Sequence, residues 1–426
     1  MFLQSLKLRN FRCFSEMDIS FRNRLTVVVG DNGVGKSTVL EAAAIAVGTF
    51  SNALGGLTSY GIRASDAHIK TFAMGSTLDV QPQFPVEISA FARIDGREVR
   101  WKRSLQSAKG RGSLAQAKEL VGIAEEYQER MRRGDASLRL PLIAYYGTGR
   151  LWEQYREKRG EVFEKNNRSN GYIDSIEGSA NNKRMMKWFQ KMTLQELQRG
   201  KSIPEFSAVK GALERIYAAI TGYEKVEIRF NLDTSEIDLL YVDNTGEATR
   251  ISMPQLSDGY RTTLSLIADI AYRMAVLNPQ YFEHVLDETD GVVLIDEIDL
   301  HLHPKWQKRI LKDLLELFPK VQFIVSTHAP EVINSVKSES VIILNNKEAL
   351  DAAEETFGKD ANAILREVMD VSTRPDVIRM AFEEIYQTID EGKWEEAERK
   401  IGLLEEEIGT NDAELNACRV RLASSP

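Results

Sequence analysis

A chain of 426 residues with 43% hydrophobic content can bury more than one core, which excludes a small module stapled by disulfides or metal. A net charge of −8 excludes a surface coated for nucleic acid, so any such contact must be local. The two cysteines, Cys13 and Cys418, lie at opposite ends and supply neither a disulfide framework nor a zinc motif. The opening MFLQSLKLRNF reads as a strand rather than a signal peptide. No apolar stretch reads as membrane-spanning: residues 264–276 are too few, and Asp269 and Arg273 interrupt them. A cytoplasmic protein without membrane contact is expected.

In chain order, residues 2–29 alternate apolar and polar side chains, the pattern of antiparallel strands. Residues 25–29 form an apolar strand, and Gly30 to Ser37 then opens a helix over 37–47. Residues 51–83 read as loop and short helix. Residues 86–101 read as strands joined by a turn at Asp95-Gly96. A charged helical stretch follows over 107–139, then an apolar strand at 140–145. Residues 151–198 are polar and locally basic, with aromatics at Trp152, Tyr155, Phe163, Tyr172, Trp188 and Phe189. Such a surface can hold a phosphate backbone and stack bases, although the plainer and preferred reading is a solvated helical lobe whose aromatics are core. An amphipathic helix at 204–223, a hairpin at 226–242 and a helix at 257–277 come next. Residues 292–295 are a buried strand, 304–318 a helix, 321–326 a second buried strand and 340–345 a third. From 348 onward the chain is acidic and helical, with a helix pair turning at Gly392.

Three of these stretches carry chemistry. In Gly30-Asp31-Asn32-Gly33-Val34-Gly35-Lys36-Ser37-Thr38, the glycines let successive N–H groups face phosphate oxygens. Lys36 can reach the β- and γ-phosphates, and the Ser37 hydroxyl can sit on Mg²⁺. The strand–loop–helix setting is the one that validates a phosphate loop. The strand at 292–295 ends in Asp296 and Glu297, at the edge where α/β sheets bind ligands. Adjacent strand residues point opposite ways, so Asp296 is expected on Mg²⁺ and Glu297 on the attacking water. The next buried strand delivers Ser326, Thr327 and His328 to the same edge. A metal reading of Asp299, His301 and His303 competes with a simple turn before Pro304.

LKLRNFRCF, GDNGVGKST, LSDGYR, LIDEIDLHLHP and STHAP together resemble the ABC-type ATPases of the SMC, RecF and OLD group. The resemblance implies a head in which two copies dimerise face to face. Ser257 and Gly259 of one copy would then touch the γ-phosphate held by the other, and His328 would contact that phosphate. Two departures stand out: Leu302-His303 replaces the usual Leu-Asp, and no heptad pattern supplies coiled-coil arms. LPLIAYYGTGRLW, Gly171-Tyr172 and the tail over 360–422 make the layout most similar to the PtuA-type ATPases of Septu and retron anti-phage systems.

The expected fold is therefore α/β: an ABC-type P-loop head at 1–105 and 206–347, a helical, locally basic insertion at 106–205, and an acidic helical domain at 348–426. The implied function is a slow, Mg²⁺-dependent ATPase, self-associating as a head dimer or larger oligomer. It would control a separate HNH-type effector nuclease, with DNA or retron RNA/DNA as a further partner. The competing expectations are a RecF-like DNA-repair ATPase acting through residues 152–191, and the ATPase half of a transporter.

Overall fold

The N-terminal alternation builds β1 (Phe2–Phe11) and β2 (Phe14–Ser20), paired antiparallel with Leu6 opposite Ile19 and Leu8 opposite Met17. All four side chains are buried on one face, as period-2 patterning requires. The computed structural model describes residues 1–55, 61–75, 77–110, 112–151, 167–178, 182–243, 245–372 and 374–423. It divides the chain into one unit at Met1–Lys359 and another at Asp360–Pro426.

In the first unit, β3 (Leu25–Val29) leads through the glycine-rich loop into α1 (Lys36–Gly55). The expected loop region contains a ribbon of β4 (Ile69–Met74) and β5 (Thr77–Pro82). The hairpin of β6 (Val86–Ile94) and β7 (Arg97–Leu105) turns at Asp95 and Gly96, both at positive φ. That turn matches the right-handed twist of its strands. These strands complete a four-stranded sheet in the order β2-β1-β6-β7.

After α2 (Lys118–Arg132) comes β8 (Leu142–Tyr146), followed by α3 (Asn182–Arg199) and α4 (Pro204–Thr221). A three-stranded meander, β9 (Glu224–Asn231), β10 (Glu236–Val242) and β11 (Ala248–Ser252), leads to α5 (Asp258–Leu277). Then come β12 (Gly291–Ile295), β13 (Val321–Thr327), β14 (Val341–Asn345) and β15 (Glu348–Asp351). The main sheet has the order β15-β14-β3-β13-β12-β8 and is parallel except at β15. Every residue of β3, β8, β12 and β13 is buried, which is why these strands read as continuous apolar runs.

Several expectations change. Residues 106–205 are not purely a helical insertion, because β8 is the edge strand of the main sheet beside β12. The unit boundary falls after Lys359 rather than after residue 347, since β15 pairs with β14. The helix expected over 304–318 breaks into Pro304–Gln307 and Ile310–Leu317 at Arg309, whose guanidinium turns to Asp313. α1 does contain an apolar window long enough to cross a membrane, and 78% of that window is buried inside the protein. It lies against strands of both sheets, so its apolar surface is a core surface.

In the second unit, Asp360 caps the helix Ala361–Glu367 by accepting from the N–H groups of Asn362 and Ala363. The helices Asp376–Asp390, Trp394–Ile408 and Ala413–Ala423 follow. Their apolar faces close on Phe382, Ile385, Ile389, Ile401, Leu404 and Leu415. Gly392, at φ +73°, makes the left-handed turn between the first two.

Candidate active site

Because β3, β12 and β13 run parallel and side by side, their carboxyl ends open at one edge of the sheet. At β3 the loop takes backbone angles that side chains resist: φ is +154° at Gly30, +85° at Gly33 and +110° at Gly35. Gly35 is also fixed by space, since a Cβ there would lie 2.4 Å from Phe14 Cζ and 2.8 Å from Cys13 Sγ. The β1–β2 turn therefore presses on the loop from behind.

Lys36 opens α1 and is buried, and its Nζ donates to the carbonyls of Gly30 (2.7 Å) and Asp31 (3.0 Å). Burial lowers its pKa, while Glu297, Asp296, Asp31 and Asp299 act to raise it, in that order of strength. The carbonyls hold the buried ammonium as the positive centre of the loop, while the nearby carboxylates would oppose a polyanion unless a cation neutralised them. Ser37 is half-buried, and Thr38 is buried with its Oγ1 3.8 Å from Cys13 Sγ.

β12 ends at Ile295, so Asp296 and Glu297 lie on the turn beyond it, where strand alternation no longer applies. Asp296 is 2% exposed, and its N–H donates to the Tyr146 carbonyl at the end of β8 (2.8 Å). The Ser326 hydroxyl donates to Asp296 Oδ1 (2.5 Å) and accepts from the Glu297 N–H (2.8 Å). Glu297 itself takes φ +46°, the left-handed region that a non-glycine residue enters only when its surroundings hold it there. One residue further along β13, Thr327 Oγ1 donates to Asp299 Oδ1 (2.5 Å). Asp299 Oδ2 lies 3.7 Å from Nδ1 of His328, whose side chain is 49% exposed. Phosphate loop, carboxylate pair and histidine strand thus meet at one edge.

The signature residues stand differently. Ser257 is exposed at the N-terminus of α5, and Gly259 is buried behind it. A Cβ at Gly259 would meet the His301 carbonyl and the Trp306 ring at 2.8 Å each, so glycine is required for α5 to seat on that turn. Tyr260 packs on Trp306 with ring centres 4.3 Å apart, and Arg261 pairs with Asp258. Among the described residues, no hydrogen bond, ion pair or ring contact joins 257–261 to 30–37. His303, the departure noted in the sequence, caps the next turn by accepting from the Lys305 N–H (3.2 Å). No three His, Cys, Asp or Glu side chains gather in a metal-holding group among the described residues.

The AAA domain family matches residues 5–225, more than half of the chain, and a second AAA-domain pattern matches 130–334. The chain belongs to the AAA-domain family. Two relatives span most of this AAA-domain protein. The Retron Vc95 probable ATPase of Vibrio cholerae is 26% identical over 88% of this chain and 80% of that protein. The Retron Ec83 probable ATPase of Escherichia coli is 25% identical over 96% and 84%. The Septu protein PtuA of Bacillus thuringiensis is 30% identical over 41% of this chain and 45% of its own length. The protein is an ATPase of this group, related to those of retron and Septu systems.

The locally basic segment is only partly within the described residues. Trp152, Tyr155, Arg156, Lys158, Arg159, Phe163 and Lys165 lie outside them. Within them, Tyr172 and Phe189 are buried, and the Trp188 ring packs edge-on against Phe189, Phe206 and Tyr272. Arg168 donates to the carbonyls of Leu277 and Leu138, and Arg184 pairs with Asp174. These three aromatics pack inside the protein, in line with the helical-lobe reading and not with stacking faces for bases. Sequence reasoning also missed Tyr146, whose carbonyl holds Asp296. Its only signal was an aromatic at the end of an apolar run.

Proposed function

We propose that the chain is the ATP-hydrolysing regulatory subunit of a bacterial anti-phage defence complex. Two heads close on ATP, and closure sets the state of a separate effector nuclease of the HNH type. The observation that carries this reading is the meeting of Lys36, Asp296, Glu297 and His328 at one sheet edge, in a chain related over most of its length to retron ATPases.

The N–H groups from Gly33 to Thr38 and the start of α1 cradle phosphate oxygens, on a turn shaped by Gly30, Asp31, Asn32 and Val34. Lys36 exchanges its two carbonyl partners for β- and γ-phosphate oxygens. The Ser37 hydroxyl and the Asp296 carboxylate are hard oxygen donors suited to Mg²⁺, which when bound neutralises charge developing on the transferred phosphoryl group. Glu297 accepts the proton of the attacking water, its main chain held by Ser326. His328, backed by Asp299, contacts the γ-phosphate. Ser257 and the N–H groups around Gly259, at an exposed helix N-terminus, form a second anion cradle for the nucleotide of the partner copy.

A DNA-repair ATPase of RecF type is the competing reading. It needs residues 152–191 on DNA, and the engagement of Tyr172, Trp188 and Phe189 in the core favours the first. The deciding experiment retrieves the Glu297→Gln protein with ATP and Mg²⁺ from its native host, read by sizing and mass spectrometry. A stoichiometric nuclease in a large complex supports the defence reading. DNA without a protein partner would overturn it in favour of the repair ATPase.

A further inference from the structure

Helix α5 carries two charges in an otherwise apolar stretch, Asp269 and Arg273, and both are fully enclosed at 0% and 2% exposure. Arg273 Nε donates to Asp269 Oδ2 (2.7 Å), and the Tyr146 hydroxyl donates to the same oxygen (2.8 Å). Arg273 also donates to the carbonyls of Gly171 and Ile173, both at 2.9 Å. Burying an ion pair is weak support for stability, since apolar residues of similar volume often serve as well. Its position is the informative part.

α5 begins at the exposed Ser257. Asp269 sits twelve residues along, which is about 18 Å down the helix axis. Tyr146 is the last residue of β8, in register with Ile295 of β12. Its side chain holds α5, and its carbonyl holds the Asp296 N–H at 2.8 Å. The C-terminal end of α5 is tied to the segment leading into that strand by Asn278, which exchanges two hydrogen bonds with the main chain of Leu140. Burial, with Asp269 beside it, holds the Tyr146 phenol well above its ordinary pKa, so it stays a donor. One continuous path therefore runs from the signature turn through Asp269 and both ends of Tyr146 to the carboxylate pair.

We infer that Tyr146 is a positioning residue: through Asp269 it transmits the seating of Ser257 on the partner copy's nucleotide to Asp296 and Glu297 of its own copy. The inference rests on the shared-site reading given above. Closure at one site then sets the carboxylates of the other, so the two sites of a dimer fire together.

A double-mutant cycle on steady-state ATP turnover of the full chain tests it, using Tyr146→Phe, Ser257→Ala and the pair. Tyr146→Phe deletes one hydroxyl and keeps the ring. Each single change is expected to lower kcat about tenfold, the usual worth of a hydrogen bond to a charged group, with KM for ATP shifted less than about twofold. The pair is expected to be no slower than either single, because a helix already uncoupled from β12 loses nothing further with Ser257. Losses that multiply would reduce Tyr146 to a packing residue and overturn the inference while leaving the shared site standing. Wild-type turnover in Ser257→Ala would instead bring down the shared site, and the inference with it. Should Tyr146→Phe yield no folded protein, Asp269→Asn replaces it in the cycle with the same two patterns.

Discussion

The two candidate anion cradles of this molecule are built in opposite ways. The phosphate loop is held from behind: three glycines at positive φ, Phe14 and Cys13 pressed behind Gly35, and Lys36 buried on carbonyls. The signature turn is supported from below by Trp306 and the His301 carbonyl, yet Ser257 itself faces outward. The first cradle is built up within one chain, and the second leaves its serine open to solvent. On the shared-site proposal, rigidity behind a loop and exposure at a helix start would let one sequence encode two halves of a site that meet between copies.

The largest effect should come from Lys36→Ala, which removes the one buried cation of the loop. Nucleotide binding measured by calorimetry should be lost, and retained tight binding would make the two cradles alike in importance. Glu297→Gln keeps shape and hydrogen bonding but removes the base. Turnover should drop by about 10²- to 10⁴-fold with nucleotide still bound, and unchanged turnover would move the base to His328. Ser257→Arg sharpens the contrast directly. Single-chain ATP binding should stay within about twofold of wild type while ATP-dependent dimer formation, read by sizing, disappears; hydrolysis that persists would mean the exposed cradle is idle. Gly35→Ala should weaken nucleotide binding and lower the thermal midpoint by several degrees, because its methyl would need the space of the Phe14 ring. Smallest of all, Asp360→Ala removes a cap from the second unit. About 1 kcal/mol of protection should be lost in the helix Ala361–Glu367 by hydrogen exchange, with turnover unchanged.

The contrast also separates what the sequence discloses from what it hides. Strands β3, β12 and β13 were legible because burial on both faces writes them as unbroken apolar runs, each ending in polar residues at the ligand edge. Helix α5 was legible from its period, and its start from LSDG. The ribbon β4–β5 was not: both strands are exposed apart from the half-buried Asp79, so no buried face imposes alternation. The break at Arg309 was hidden because the apolar period continues across it, and only the backbone angles there, φ −122° and ψ −19°, mark it. β15 was missed because four mostly exposed residues at a sheet edge carry no pattern. Asp269 and Arg273 were visible as charges four apart in an apolar helix. Their partner Tyr146 is more than a hundred residues away, a distance that pattern reading does not bridge.

Ser326 has one proton to give, and it goes to Asp296 while the oxygen takes the Glu297 N–H. The direction of that short chain is thereby fixed: donor, hydroxyl, acceptor. One hydroxyl thus ties the carboxylate of Asp296 to the main chain of Glu297, so the two neighbouring acids are positioned as a single unit through a side chain of the adjacent strand.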